Sequence, residues 1–300
     1  MRRLLIKHDS VRDVLIFLLP SFLGFCIFIL FPIIASVGLS FTNYRGGKTM
    51  AFVGLKNYLT AFHSSGFQEA FWVTLTFVVF TVFFQIVLGL VFALILNQKI
   101  VGRSFFRGII FLPVVLSTIA ISLAFMLIFN PQKGPVNNFL MSIGFDPLAW
   151  LASPKTSLMT IIIVTVWRQF GYYMVLLLCG LQTINPTLYE AAEIDGANSV
   201  RKFRHVTLPM LTPILFLCII LALIQAFQVF DQIFVLTGGQ QGGGPAGSTT
   251  TLVFDIYLNA FNNWQMGYSC AEAVILLIII LVITVIQYKR QQKWVTYDII

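Results

Sequence analysis

Gln225, Gln228 and Asp231 recur every three residues inside an apolar run. On a helix this spacing draws one polar stripe along a single face. Polar groups in hydrocarbon are costly, so they are candidates for a solute pathway. Another apolar run carries Arg168 and Gln169 near its middle, followed by Tyr172 and Tyr173. Glutamine and tyrosine offer neutral donors and acceptors plus flat apolar faces, which suit a sugar. Gln228 is the best single candidate for contact with cargo. The competing reading is that these groups satisfy one another between helices. Arg168 better fits a structural role, paired with a carboxylate of this chain or of a neighbour. Asp231, nearer the outer end of its run, is a candidate brace for a gate.

A second kind of chemistry lies between Tyr189 and Pro213, in YEAAEIDGANSVRKFRHVTLPMLTP, a polar, cationic island between apolar runs. A short helix over Leu188 to Asp195 keeps one side thin at Ala191 and Ala192. Glu190 and Glu193 offer charge-assisted bonds to a partner's Arg or Lys. Asp195-Gly196 breaks the helix, because glycine leaves the helical region freely. Asn198 or Ser199 can cap a second helix with Val200, Phe203 and Val206 at helical spacing. Small residues beside one carboxylate suit docking into another protein's groove. An amphipathic linker held at lipid headgroups is the alternative.

No enzymatic pattern accompanies these features. His8, His63 and His205 fall in three separate segments, and no catalytic triad, carboxylate pair or zinc spacing stands out. Gly239 and Gly244 have P-loop spacing, but Pro245-Ala246 stands where Lys-Ser/Thr is needed to reach phosphates. Cys26, Cys179, Cys218 and Cys270 lie in or beside apolar runs and read as small packing residues.

Long apolar runs must position these groups. The 300 residues are 58% hydrophobic and 10% charged, with a mean hydropathy of +0.89; soluble domains carry about 25% charged residues. Lipid is therefore the solvent. Six spans are expected, over residues 14–39, 70–97, 107–129, 156–181, 208–236 and 267–288, each enough for a core needing about 20 helical residues. The first is about twice as long as a signal peptide's apolar region and reads as a retained anchor. With the N-terminus inside, cytoplasmic segments hold most cations, among them Arg12, Lys99, Arg103, Arg107, Arg201, Lys202, Arg204, Lys289 and Arg290, while external ones hold Arg45, Lys48, Lys56, Lys133 and Lys155. That asymmetry places both termini in the cytoplasm and accounts for the net charge of +8 without nucleic acid. The chain reads as one all-α polytopic membrane domain over residues 1–300, with a cytoplasmic loop at 182–207.

Glu190-Ala191-Ala192, Gly196 and Leu208-Pro209 resemble the EAA loop of membrane subunits from binding-protein-dependent ABC importers. So do Phe52-Val53-Gly54-Leu55-Lys56-Asn57-Tyr58, Phe106-Arg107, Phe111-Leu112-Pro113, and Gly134 with Asn137 and Leu140. Gly180-Leu181-Gln182, Leu236-Thr237-Gly238-Gly239 and Met266-Gly267-Tyr268 extend the series over nearly the whole chain. It is most similar to the maltose-type sugar permease group, with an extended glycine turn at Gln240-Gln241-Gly242 and Cys270 where alanine or serine is common. The resemblance implies a type I importer permease core of six transmembrane helices in a bacterial or archaeal plasma (inner) membrane. It implies a second homologous permease, two copies of an ABC ATPase that hold ATP and Mg, and an extracytoplasmic solute-binding protein. No cofactor or metal is expected on this chain. Glu190, Ala191, Ala192, Glu193, Asp195 and Gly196 would couple to the ATPase. A polyol or glycerol phosphate is the alternative cargo. An ion-coupled secondary transporter is the alternative of another class, though Arg168, Asp231 and Glu272 are few and scattered for one.

Overall fold

Prolines inside long apolar runs shape the two ends of this chain's helical architecture. The computed structural model describes residues 9–47, 49–239, 243–291 and 295; the Gln240-Gln241-Gly242 extension lies outside them. α1 (Asp9–Phe25) passes through a π-helical turn at Cys26–Leu30 into α2 (Phe31–Ser40). Pro32 cannot donate to the carbonyl four residues back and its ring crowds it. That carbonyl belongs to residue 28, inside the turn, where the wider Phe31 N–H to Cys26 bond takes over. The same solution recurs later: Pro209 follows the π-turn Phe203–Thr207, closed by Leu208 N–H to Phe203.

The chain divides into two compact units, Met1–His63 with Asn259–Ile275 and Ser64–Leu258 with Leu276–Ile300. In the first, the chain leaves α2 and forms an isolated bridge, Thr42 to Phe52, before α3 (Lys56–His63). Asn57 Nδ2 donates to the Ser40 and Thr42 carbonyls at 2.8 Å each, and Tyr58 Oη meets Ser40 Oγ at 2.6 Å. These bonds explain the Asn-Tyr of the Phe52–Tyr58 motif as an internal clasp. Gly267 donates to the Tyr44 carbonyl at 2.9 Å, and a Cβ there would collide with the Thr42 carbonyl oxygen. Glu272 is 1% exposed, and Asn259 Nδ2 lies 3.1 Å from each of its oxygens. No residue of the apolar window within Ile16–Ser40 is fully buried.

The second unit is built on α4 (Ser65–Asn97) and α8 (Ser157–Thr183), which pack along each other. α4 has 33 residues, about 50 Å at 1.5 Å per residue, so it outruns a hydrocarbon core of about 30 Å. Gly89 allows the approach, since a Cβ there would sit 3.1 Å from Tyr173 Cβ and the Met174 nitrogen. α5 (Arg103–Val115) crosses α8 where Gly171 meets the Ile110 carbonyl, leaving no room for a Cβ. α5 and α6 (Thr118–Ile128) together replace the expected third span. Leu116 and Ser117 are extended, so the pair is bent by 96°. Beyond α6, α7 (Pro135–Ser142) is tied down by Asn137, whose amide bonds the Pro131 and Leu148 carbonyls at 2.9 Å and whose oxygen takes Trp150 Nε1 at 2.7 Å.

α9 (Pro186–Ile194) and α10 (Ser199–Lys202) precede α11 (Leu208–Phe227), and the helix is continuous from Ser199 to Phe227. The expected fifth span does not run on to Leu236. Gln228 ends α11, Phe230 is non-helical, and α12 (Asp231–Leu236) starts afresh. Phe230 nests among Phe234, Phe254 and Tyr257, with ring centroids 5.0–5.9 Å away, which fixes the break. α13 (Leu252–Tyr257) docks on α4 through the Leu252 N–H to Thr74 Oγ1, 2.8 Å. α14 (Met266–Gln291) is the last long helix. Among the described residues five helices are long and apolar enough to cross a membrane, and the bent pair makes a sixth crossing if taken as one span.

Candidate functional site

Both helix breaks in the second unit open onto one polar cavity of about 310 Å³. Irregular backbone at membrane depth is tolerated only where protein buries it or a wetted cavity borders it, so the breaks and the cavity explain one another. Thr118 begins α6 on its wall, and Gln228, Val229 and Phe230 are the broken stretch itself. α8 contributes Thr165, Arg168 and Gln169, and α11 contributes Gln225. Thr165, Arg168 and Gln169 share a face because helix neighbours recur at three and four residues.

The groups are linked. Gln225 Oε1 accepts from Gln169 Nε2 at 2.9 Å and from Tyr173 Oη at 3.1 Å. Arg168 Nη1 donates to Gln169 Oε1 at 3.3 Å, and Thr165 Oγ1 meets the Gln232 amide at 3.1 Å. Arg168 makes no ion pair within 4.0 Å among the described residues; its Nε is buried without a partner, although Asp231 lines the same cavity. The pairing expected for Arg168 with a carboxylate is thus absent among the described residues. Gln225, Gln228 and Asp231 do share the cavity, but not as a helical stripe. The helix ends at Phe227, so the three-residue period fails after Gln225 and the broken backbone turns Gln228 and Asp231 inward.

Tyr172 and Tyr173, expected on the path, stand off this cavity wall. Tyr173 is 0% exposed and props Gln225 from behind, while Tyr172 packs edge-on against it at 5.3 Å. Missed in the sequence were Thr81 and Gln85 of α4, Thr118, Thr165 and Gln232. Gln85 had a signal, as the one amide in the interior of its apolar run, which ends at Asn97. Threonines carried none, because in membrane helices they commonly bond their own backbone, as Thr165 does to Ile161 at 2.7 Å.

At the other candidate site, Asn185 caps α9 by accepting from Thr187 N at 3.1 Å, and Asn198 caps α10 by accepting from Arg201 N at 2.9 Å. Gly196 has φ +72° and open space around it, so glycine is needed there for its left-handed backbone rather than for room. Ala197 N–H closes the helix end on the Ala192 carbonyl at 2.8 Å. Glu190, Ala191, Asp195 and Gly196 are exposed and Ala192 is partly so. Glu193, which the sequence offered to a partner, instead bonds Lys202 Nζ at 2.6 Å, and that ammonium holds its carboxyl below the usual range. Ile194 and Val200 stand 87% and 72% exposed, an apolar pair beside the alanines.

A polytopic helical protein with broken spans around a polar cavity is a membrane transport component. Residues 85–295 match the family described as binding-protein-dependent transport system inner membrane components, and the chain belongs to that family. It is 37% identical over 281 residues to the probable ABC transporter permease protein YurN of Bacillus subtilis, covering 91% of this chain and 94% of that one. It is 36% identical over 276 residues to the arabinooligosaccharides transport system permease protein AraP of the same organism, covering 91% and 87%. In structure it is similar to a chain of the bacterial alginate ABC transporter in complex with an alginate pentasaccharide-bound periplasmic protein. There the TM-score is 0.83 at 25% identity, covering 96% of this chain and 97% of that one. Family membership removes the self-sufficient, ion-coupled reading.

Proposed function

We propose that this permease carries sugars or oligosaccharides and forms half of a translocation path. The observation that carries this is the cavity wall: amides and hydroxyls of Gln85, Thr118, Thr165, Gln169, Gln225 and Gln228, with one cation, Arg168, and one anion, Asp231. Such a lining is near neutral and rich in paired donors and acceptors, as a neutral polyhydroxylated solute needs. Its volume falls in the range of about 300–1,000 Å³ typical of small-molecule sites. The arabinooligosaccharides of AraP's name and the alginate of the solved transporter support sugars as the cargo class, although alginate is an acidic polysaccharide.

The chain would work with a second homologous permease, two copies of an ABC ATPase that hold ATP and Mg, and a solute-binding protein outside. Its segment 182–207 would seat in the ATPase. Glu190 would make the polar contact, Ala191 and Ala192 the close surface, and Gly196 the turn, with Ile194 and Val200 adding apolar area. Both termini would face the cytoplasm of a bacterial or archaeal cell, in keeping with the cation distribution. ATP hydrolysis belongs to the ATPase, so this chain is a transport subunit and not a catalyst.

Gentle extraction of the tagged chain from its native membrane, followed by mass spectrometry and uptake measurements in vesicles, tests this reading. Recovery of an ATPase, a second permease and a binding protein, with ATP-driven sugar uptake, is the expected result. A transport-competent homo-oligomer without an ATPase would refute it.

A further inference from the structure

Three buried side-chain atoms without hydrogen-bond partners belong to residues lining the cavity: Arg168 Nε, Thr81 Oγ1 and Gln232 Nε2. Two of them sit in residues almost wholly enclosed, Thr81 at 1% and Gln232 at 3% exposure. Buried polar atoms are nearly always paired, so an orphan calls for an explanation. Thr165 Oγ1 meets one end of the Gln232 amide at 3.1 Å, and the other end is left without a partner. Gln85, also 3% exposed, reaches the Thr165 carbonyl at 3.4 Å. α4, α8 and α12 are thereby joined, and what remains is one free end of an amide and one hydroxyl able to donate or accept.

We propose that Thr81 and Gln232 form a subsite that binds a hydroxyl group of the transported solute. An amide has one donating and one accepting end, whereas a threonine hydroxyl does both. A ligand hydroxyl, itself donor and acceptor, pairs with the free end of the Gln232 amide and with Thr81 Oγ1 in complementary senses, and both orphans are satisfied. Neither residue offers a counter-charge to a charged ligand group. The subsite enters from α4 and α12, away from the stripe legible in the sequence. It lets the permease discriminate sugars by one hydroxyl, because a site built for a hydroxyl leaves its own polar groups unpaired when the ligand lacks it. The inference rests on the sugar-permease reading. A resident water has the same hydrogen-bonding chemistry and is the rival source.

The test uses the complete complex in vesicles and has two arms. In the first, Thr81→Cys and Gln232→Cys are compared with Gln225→Cys, in a background where the four native cysteines are alanine, for labelling by a cationic methanethiosulfonate reagent during ATP turnover. Labelling of both positions within about tenfold of Gln225→Cys is expected; no labelling there, with Gln225→Cys labelled, overturns the subsite. In the second, uptake is measured for whichever of maltose, trehalose and arabinotriose the unmodified complex carries, and for its monodeoxy derivatives. Thr81→Val and Gln232→Met should slow the parent sugar by roughly tenfold and leave one deoxy derivative nearly unchanged, while Thr81→Ser restores the parent. An equal fall for parent and every derivative would show a resident water or a packing role and overturn the proposal. An unmodified complex that carries no sugar refutes the sugar reading instead, and labelling still decides whether the two residues open to the cavity.

Discussion

Removing one carbonyl oxygen, that of Gln225, should separate a packing role from a pathway role. Its Oε1 takes two hydrogen bonds, from Gln169 Nε2 at 2.9 Å and Tyr173 Oη at 3.1 Å. In Gln225→Leu the Gln169 amide, half-buried on the cavity wall, regains water at little cost. Tyr173, 0% exposed, cannot, and its orphaned hydroxyl should cost about 1–3 kcal/mol. Tyr173→Phe alone loses one net hydrogen bond, about 0.5–1.5 kcal/mol, because Gln225 remains wetted. The double variant has no orphan and should cost no more than about 1.5 kcal/mol. The cycle therefore predicts a favourable coupling of about 1–2 kcal/mol for residues in contact. Unfolding equilibria of the four purified complexes in mixed detergent micelles would measure it. Uptake should behave differently: Tyr173→Phe should rescue the stability of Gln225→Leu but not its transport, since the missing amide faces the cavity. Additive stabilities would refute the bonding argument, and full rescue of transport would refute the pathway role.

Gly171→Ala should drive α5 from α8, because its Cβ meets the backbone carbonyl of Ile110 rather than a yielding side chain. A loss of at least about 1–3 kcal/mol is expected, read in the same unfolding assay. Gly196→Val should cost about 1–2 kcal/mol of local strain and uncouple transport from ATP turnover, whereas Gly196→Asn, tolerant of positive φ, should retain coupling; measuring ATP hydrolysed per sugar moved checks both. Lys202→Ala should return the Glu193 carboxyl to the ordinary range. Because that carboxyl lies low in the folded chain, the pair's contribution is present above the unfolded pKa and lost as pH falls through the folded one. Hydrogen exchange over Pro186–Ile194 should then show weaker protection in Lys202→Ala at neutral pH and no difference between the two proteins in acid. Asn57→Leu, which strands the Ser40 and Thr42 carbonyls, should loosen the turn before α3, visible as faster exchange at residues 41–44.

Apolar length alone determined much of this protein. Runs of twenty or more hydrocarbon residues must become helices in lipid, where every backbone group needs an internal partner, so helices lie within a few residues of some expected spans, as at Ser157–Thr183 and Met266–Gln291, but not of the third and fifth. The island at Glu190–Gly196 was legible too, because a polar segment and a glycine stop stand out against hydrocarbon. Periodicity could not reveal where a helix stops for tertiary reasons. The break at Gln228–Phe230 is held by the rings of Phe234, Phe254 and Tyr257, and the bend at Leu116–Ser117 has no strong breaker at the bend itself. Those two breaks decide which side chains face the cavity: they bring Gln228 and Asp231 inward without a stripe. Packing against α11 sends Tyr173 behind Gln225 instead of into the path. Thr81, Thr165 and Gln232 meet there from three helices distant in sequence. Their types say nothing alone, since a threonine or glutamine in a membrane helix acquires a role only from the neighbour that leaves its hydrogen bond open or closes it.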